Sequence, residues 1–128
     1  MKLLIVGSRS ITSFDLSSYI PADVDTIISG GAEGVDALAE KYADAKHLSK
    51  YIFRPQYSLY GRAAPLKRNE AMVDMADAIL VVWDGRSKGT LHTINYSKKE
   101  KRTSPLSERT RMNKKGSCLQ TTSLFYLI

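Results

Sequence analysis

"SGGAEGVDALAE" (Ser29–Glu40) sets Gly30, Gly31 and Gly34 directly between an apolar β-branched run, "TIIS" (26–29), and an alanine-rich stretch with helical spacing. A strand, a glycine turn and a helix in that order are the repeating unit of an α/β sheet. Working outward, "KLLIV" (2–6) and "DAILVVW" (77–83) are further near-continuous apolar runs, and "YIFRP" (51–55) is a weaker one. Such runs suit strands covered on both faces, as in a parallel sheet.

Helical patterns separate the runs. Residues 34–46 place Val35, Leu38, Ala39 and Tyr42 at i, i+3, i+4, i+7. Residues 65–76 open on Pro65, suited to a first helical turn, and direct Leu66, Met72, Met75 and Ala76 toward a core. A first helix is predicted from Thr12 or Ser13 to Tyr19, with Pro21 beyond it, and a fourth from near Gly89 to about Lys99. The order predicts an α/β, doubly wound, mostly parallel, Rossmann-like sheet in three α/β/α layers, with right-handed crossovers.

The 128 residues fit one domain. One cysteine, Cys118, excludes an internal disulfide framework, and His47 and His92 stand too far apart for a zinc motif, so no metal is expected. No apolar run is long enough for a signal peptide or membrane span, and a cytoplasmic protein with no membrane partner is expected. The net charge of +6 suggests nucleic acid, but residues 1–96 hold 11 Lys/Arg and 11 Asp/Glu. Residues 97–128 hold 8 Lys/Arg against Glu100 and Glu108, which is the whole excess. Residues 1–99 therefore read as the folded domain, and 100–128 as a basic irregular tail in which "SLFYLI" can make a short final strand.

In an open α/β sheet, ligands bind beyond the carboxyl ends of the strands. Three glycine-containing loops follow strands: "GSRS" (7–10), "GGAEG" (30–34) and "DGRSKGT" (84–90). Glycines before a helix let backbone N–H groups face an anion, and they also serve simply as tight turns. Ser29 and Thr90 add hydroxyl donors, while Arg9 and Arg68 suit a phosphate. No Gly-Lys-Ser/Thr follows, so this is not a P-loop. Other roles stay open: solvation for Arg68, a helix N-terminus or a ribose hydroxyl for Asp36, rim packing or base stacking for Trp83, and cover over a ligand or plain surface for Tyr57 and Tyr60. His92 reads as structural.

"MKLLIVGSRSIT", "IISGGAEGVDALAEKYA" and "PLKRNEAMVDMADAILVVWDGRSKGTLHTI" together resemble the YspA-like group of the SLOG superfamily, over residues 1–99. These are Rossmann-like domains related to DNA-processing protein A and the Lonely Guy phosphoribohydrolases, often bacterial or phage-borne. The resemblance implies a nucleotide or nucleotide-derived ligand on Gly7, Ser8 and Arg9, on Gly30, Gly31, Gly34 and Asp36, on Arg68 and Asn69, and on Asp84, Gly85, Gly89 and Thr90, and Ser29 joins them as the hydroxyl donor named above. No further cofactor is expected.

Three departures bear on activity. Thr93 stands where the Lonely Guy "PGGxGTxxE" motif has its glutamate, which removes a carboxylate that would stabilise developing positive charge. No catalytic residue is assigned, and phosphoribohydrolase activity is the alternative to binding. Glu33 replaces the arginine of the "GxARGID" loop of DNA-processing protein A, so single-strand DNA binding is a third, less favoured alternative. Beyond "NYSKKE" the expected glycine turn and apolar strand give way to "KRTSPLSERTRMNKKGSC", which fits a divergent or a frame-shifted end. Homo-oligomers are open to a domain of this size, with no interface fixed.

Overall fold

The computed structural model describes residues 1–101, 104–112 and 118–127. Four parallel strands form the centre: β1 (Lys2–Gly7), β2 (Thr26–Ser29), β3 (Ser49–Ile52) and β4 (Ala78–Trp83). Helix α1 (Val35–Ala45) links β2 to β3, the short α2 (Tyr57–Tyr60), a 3-10 turn (Gly61–Ala63) and α3 (Ala64–Met75) link β3 to β4, and α4 (Lys88–Lys101) follows β4. Then come β5 (Ser104–Met112) and β6 (Cys118–Leu127), which pair antiparallel with each other. The order across the sheet is β3-β2-β1-β4-β6-β5, with β6 antiparallel to β4. The α/β, Rossmann-like class expected from periodicity is the one observed.

Alternation along the strands divides the core in two. Leu3, Ile5, Ile27, Leu80 and Val82 pack with Val35, Ala39 and Ala43 of α1 and with Leu16, Tyr19 and Val24 of the β1–β2 connection. Leu4, Val6, Ile28, Ile79 and Val81 pack with Met72, Val73 and Ala76 of and beside α3 and with Ile94 of α4. Strands buried on both faces explain why these runs show no polar alternation.

The predicted helix from Thr12 or Ser13 to Tyr19 does not form: residues 11–16 are irregular and 17–20 make turns. The Asp15 carboxylate accepts the hydroxyls of Ser17 and Ser18, both at 2.6 Å, and such local bonds compete with a helix. Leu16 and Tyr19 still reach the core, so their i, i+3 spacing reports burial without a helix. Strand β3 spans Ser49–Ile52 instead of 51–55, and its exposure at the sheet edge weakens its apolar signal. Leu66, predicted to face the core, is 39% exposed. Residues 104–112, read from sequence as irregular, run as the outermost strand, a place that tolerates polar residues and Pro105.

Candidate functional site

β1 and β4 are neighbours, yet the chain leaves β1 toward β2 over one face and leaves β4 into α4 over the other. Strand order thus reverses between them, and the crevice at such a point is where open α/β sheets hold ligands. A cavity of about 450 Å³ opens there.

Eight of the residues singled out from sequence line it: Gly7, Arg9, Asp36, Arg68, Asn69, Asp84, Gly89 and Thr90. Ser8, Ser29, Gly30, Gly31, Gly34 and Gly85 do not, and most of them shape the loops behind it. The Ser8 hydroxyl accepts the Asp84 N–H at 2.9 Å, and its N–H donates to the Val82 carbonyl at 3.1 Å, which joins the ends of β1 and β4. The Ser29 hydroxyl accepts the Gly31 N–H and donates to the Asp36 carbonyl, each at 3.3 Å. Gly34 has φ +71°, and a Cβ there would lie 2.5 Å from the carbonyl oxygens of Ser8 and Arg9. Gly85 has φ +82° in the turn after Asp84.

Arg68 straps three elements together. Its Nη1 donates to the carbonyls of Gly30 (2.7 Å) and Phe53 (3.2 Å), and its Nε donates to Asn69 Oδ1 (2.8 Å). The Asn69 amide in turn donates to the Gly89 carbonyl at 3.4 Å, so α3 is tied both to the glycine loop and to α4. Burial lowers the Arg68 pKa, and the nearby Asp36 charge offsets part of that.

Asp36 is 7% exposed, and its Oδ2 accepts the Ala32 N–H at 3.2 Å. Burial raises its pKa, opposed by that amide and by the charges of Arg68 and Arg9. Desolvation prevails over attraction for both partners.

Asp84 differs. Its Oδ1 accepts the N–H groups of Arg86 (2.8 Å) and Ser87 (3.0 Å), and its Oδ2 accepts the Ser10 hydroxyl (2.9 Å). The Arg86 amide leads the causes that lower its pKa to about 2. The carboxylate is ionised at neutral pH and holds the turn into α4 in place.

Helix α4 presents its N-terminus to the cavity through Gly89, Thr90 and Thr93. By helix geometry the N–H groups of Lys88, Gly89 and Thr90 have no intrahelical acceptor, and the helix dipole favours negative charge beside them. Thr90 Oγ1 shares a hydrogen bond with Ser87 Oγ at 3.2 Å. Thr93 is 1% exposed and donates to the Gly89 carbonyl at 3.1 Å, so its hydroxyl serves the helix. The walls offer donors for an anion and two carboxylates that can accept sugar hydroxyls.

Ser10, Ala32, Pro65, Leu66, Met72, Ser87, Thr93 and Val6 also line the cavity. Ser10 and Ser87 lie inside the "GSRS" and "DGRSKGT" loops, while Pro65 and Met72 follow from Arg68 by helical spacing on α3. Trp83 lies outside, partly buried, donating from Nε1 to the Ser87 carbonyl at 3.0 Å. His92 lies outside as well, with Nε2 3.9 Å from Glu70 Oε2. Tyr57 and Tyr60 are exposed on α2.

Among the described residues no group of three or more His, Cys, Asp and Glu side chains is placed to hold a metal, and no helix is long and apolar enough to cross a membrane. No family model and no solved structure matches the chain. The chain is similar to a Bacillus subtilis (strain 168) protein described as the uncharacterised SPbeta prophage-derived protein YoqJ, 35% identical over 63 residues. That stretch is 48% of this chain and 37% of the prophage protein, so the likeness spans little more than a third of the latter's length.

Proposed function

We propose that the protein binds a nucleotide or nucleotide-derived small molecule in the cavity between the β1 and β4 ends, as a binding or sensing module of the YspA-like SLOG kind, acting in the cytoplasm. The observation that carries this is the convergence of Arg9, Arg68, Asp36, Asp84 and the α4 N-terminus on one cavity. The open amides of α4 and Arg9 suit a phosphate. The carboxylates suit ribose hydroxyls. Thr93, committed to the Gly89 carbonyl where related hydrolases hold a glutamate, favours binding over N-glycoside cleavage. A prophage-derived relative agrees with the phage-borne members of that superfamily.

A thermal-shift screen with nucleoside monophosphates, cyclic nucleotides and ADP-ribose tests the proposal, since a ligand at 100 times its Kd stabilises the folded state by about 2.7 kcal/mol. Stabilisation by at least one of them, lost in Arg9→Ala, is the expected result. No stabilisation by any of them would overturn it, and release of ribose 5-phosphate from a monophosphate would replace binding with hydrolysis.

A further inference from the structure

Four of the six exposed large hydrophobic side chains among the described residues fall between positions 57 and 66: Tyr57 (62% exposed), Leu59 (65%), Tyr60 (44%) and Leu66 (39%). Water-facing apolar side chains gathered in one short segment mark a surface that meets something. The segment is α2, the 3-10 turn and the start of α3, and α2 packs against α3. It is continuous with the cavity, because Leu66 and its neighbour Pro65 are part of the cavity wall. Tyr57 stands on α2, and α2 packs against α3, the helix that carries Arg68.

The cavity therefore has two chemistries. One part holds Arg9, Asp36, Arg68 and Asp84, and another is bounded by Pro65 and Leu66, which follow the exposed 57–60 stretch in the chain. A ligand filling both is charged at one end and flat and apolar at the other. We infer that the α2–α3 segment is a base subsite, in which a nucleobase packs on Pro65 and Leu66 and against Tyr57 while sugar and phosphate occupy the charged part. This rests on the nucleotide reading above and adds to it which part of the chain holds the base. Contact with apolar and aromatic surface discriminates by stacking area, so purines bind tighter than pyrimidines, and ribose 5-phosphate binds weakest.

Calorimetric titration of the full chain with AMP, CMP and ribose 5-phosphate tests this, in the wild type, in Tyr57→Ala and in the double variant Tyr57→Ala/Leu66→Ser. Both positions are exposed, and unchanged far-UV circular dichroism and melting temperature confirm that each variant folds. The wild type is expected to bind AMP about ten-fold or more tighter than ribose 5-phosphate. Tyr57→Ala narrows that ratio, and the double variant brings AMP down to the ribose 5-phosphate affinity without changing the latter. Equal wild-type affinities, or an AMP preference that survives the double variant, overturn the base subsite and leave phosphate binding standing. Failure of all three compounds to bind overturns the base subsite, and the nucleotide reading falls as well if cyclic nucleotides and ADP-ribose also fail to stabilise the protein.

Discussion

Arg68 occupies the space that a side chain at Gly30 would need. Its Nη1 donates to the Gly30 carbonyl at 2.7 Å, and the same atom lies 2.7 Å from where a Cβ on residue 30 would stand, with Asp36 Oδ2 only 2.9 Å away on that position. The glycine admits two opposite charges into the back of one cavity. Gly30→Ala is expected to displace Arg68 and to destabilise the fold by about 1–3 kcal/mol, the usual cost of overpacking. Urea denaturation checks it; an unchanged midpoint would mean that Arg68 is not held there.

Arg68→Lys tests the strap itself. A lysine ammonium cannot reproduce the planar fork that serves Gly30, Phe53 and Asn69 together. A loss of about 1–3 kcal/mol is expected from carbonyls left without donors, read by the same titration, and the conservative charge does not rescue it.

Asp36 and Asp84 give opposite pH dependences. Asp84 has a folded pKa of about 2 against 3.8 for a free side chain, so the stability it contributes is present above 3.8 and lost as pH falls toward 2. Asp36 has its folded pKa raised, so its ionised form costs stability at neutral pH, a cost that disappears as pH falls through that pKa. Asp36→Asn, which keeps an acceptor for the Ala32 amide, is expected to raise stability at pH 7 and not at low pH, and to weaken ligand binding. Denaturant titrations at both pH values check the sign.

Leu80 is fully buried at the centre of β4 between β1 and β6. Leu80→Ala is expected to cost about 2–5 kcal/mol through lost contacts and a residual cavity, measured as a fall in the denaturation midpoint.

The parallel core was legible because strands buried on both faces announce themselves as unbroken apolar runs; β1, β2 and β4 all do. The sheet edges and the β1–β2 connection, which lack that burial, were less so. The β3 edge and the polar β5 edge carry little apolar signal, and the 11–20 stretch buries Leu16 and Tyr19 at helical spacing while Asp15 binds Ser17 and Ser18 in turns. At the site, the three loops were legible as motifs, but the part each residue plays was not. Gly30 and Gly34 are spent on close approaches to Arg68 and to the β1 loop, so Ala32 and Asp36 face the cavity in their place. Only the tertiary approach of α3 and of the β1 loop reveals that.

Gly89 offers the most direct test of a nucleotide site at the α4 N-terminus. It lines the cavity, and a Cβ there meets nothing within 4 Å. Gly89→Glu adds bulk and negative charge where a phosphate is proposed, and replacing a helical glycine removes a penalty of up to about 1 kcal/mol. Isothermal titration of wild type and Gly89→Glu with the nucleotides that stabilise the wild type is the decisive measurement. The site as proposed predicts a melting temperature equal or higher in the variant and affinity reduced at least about ten-fold, the equivalent of 1.4 kcal/mol; undiminished affinity in a folded Gly89→Glu would contradict it.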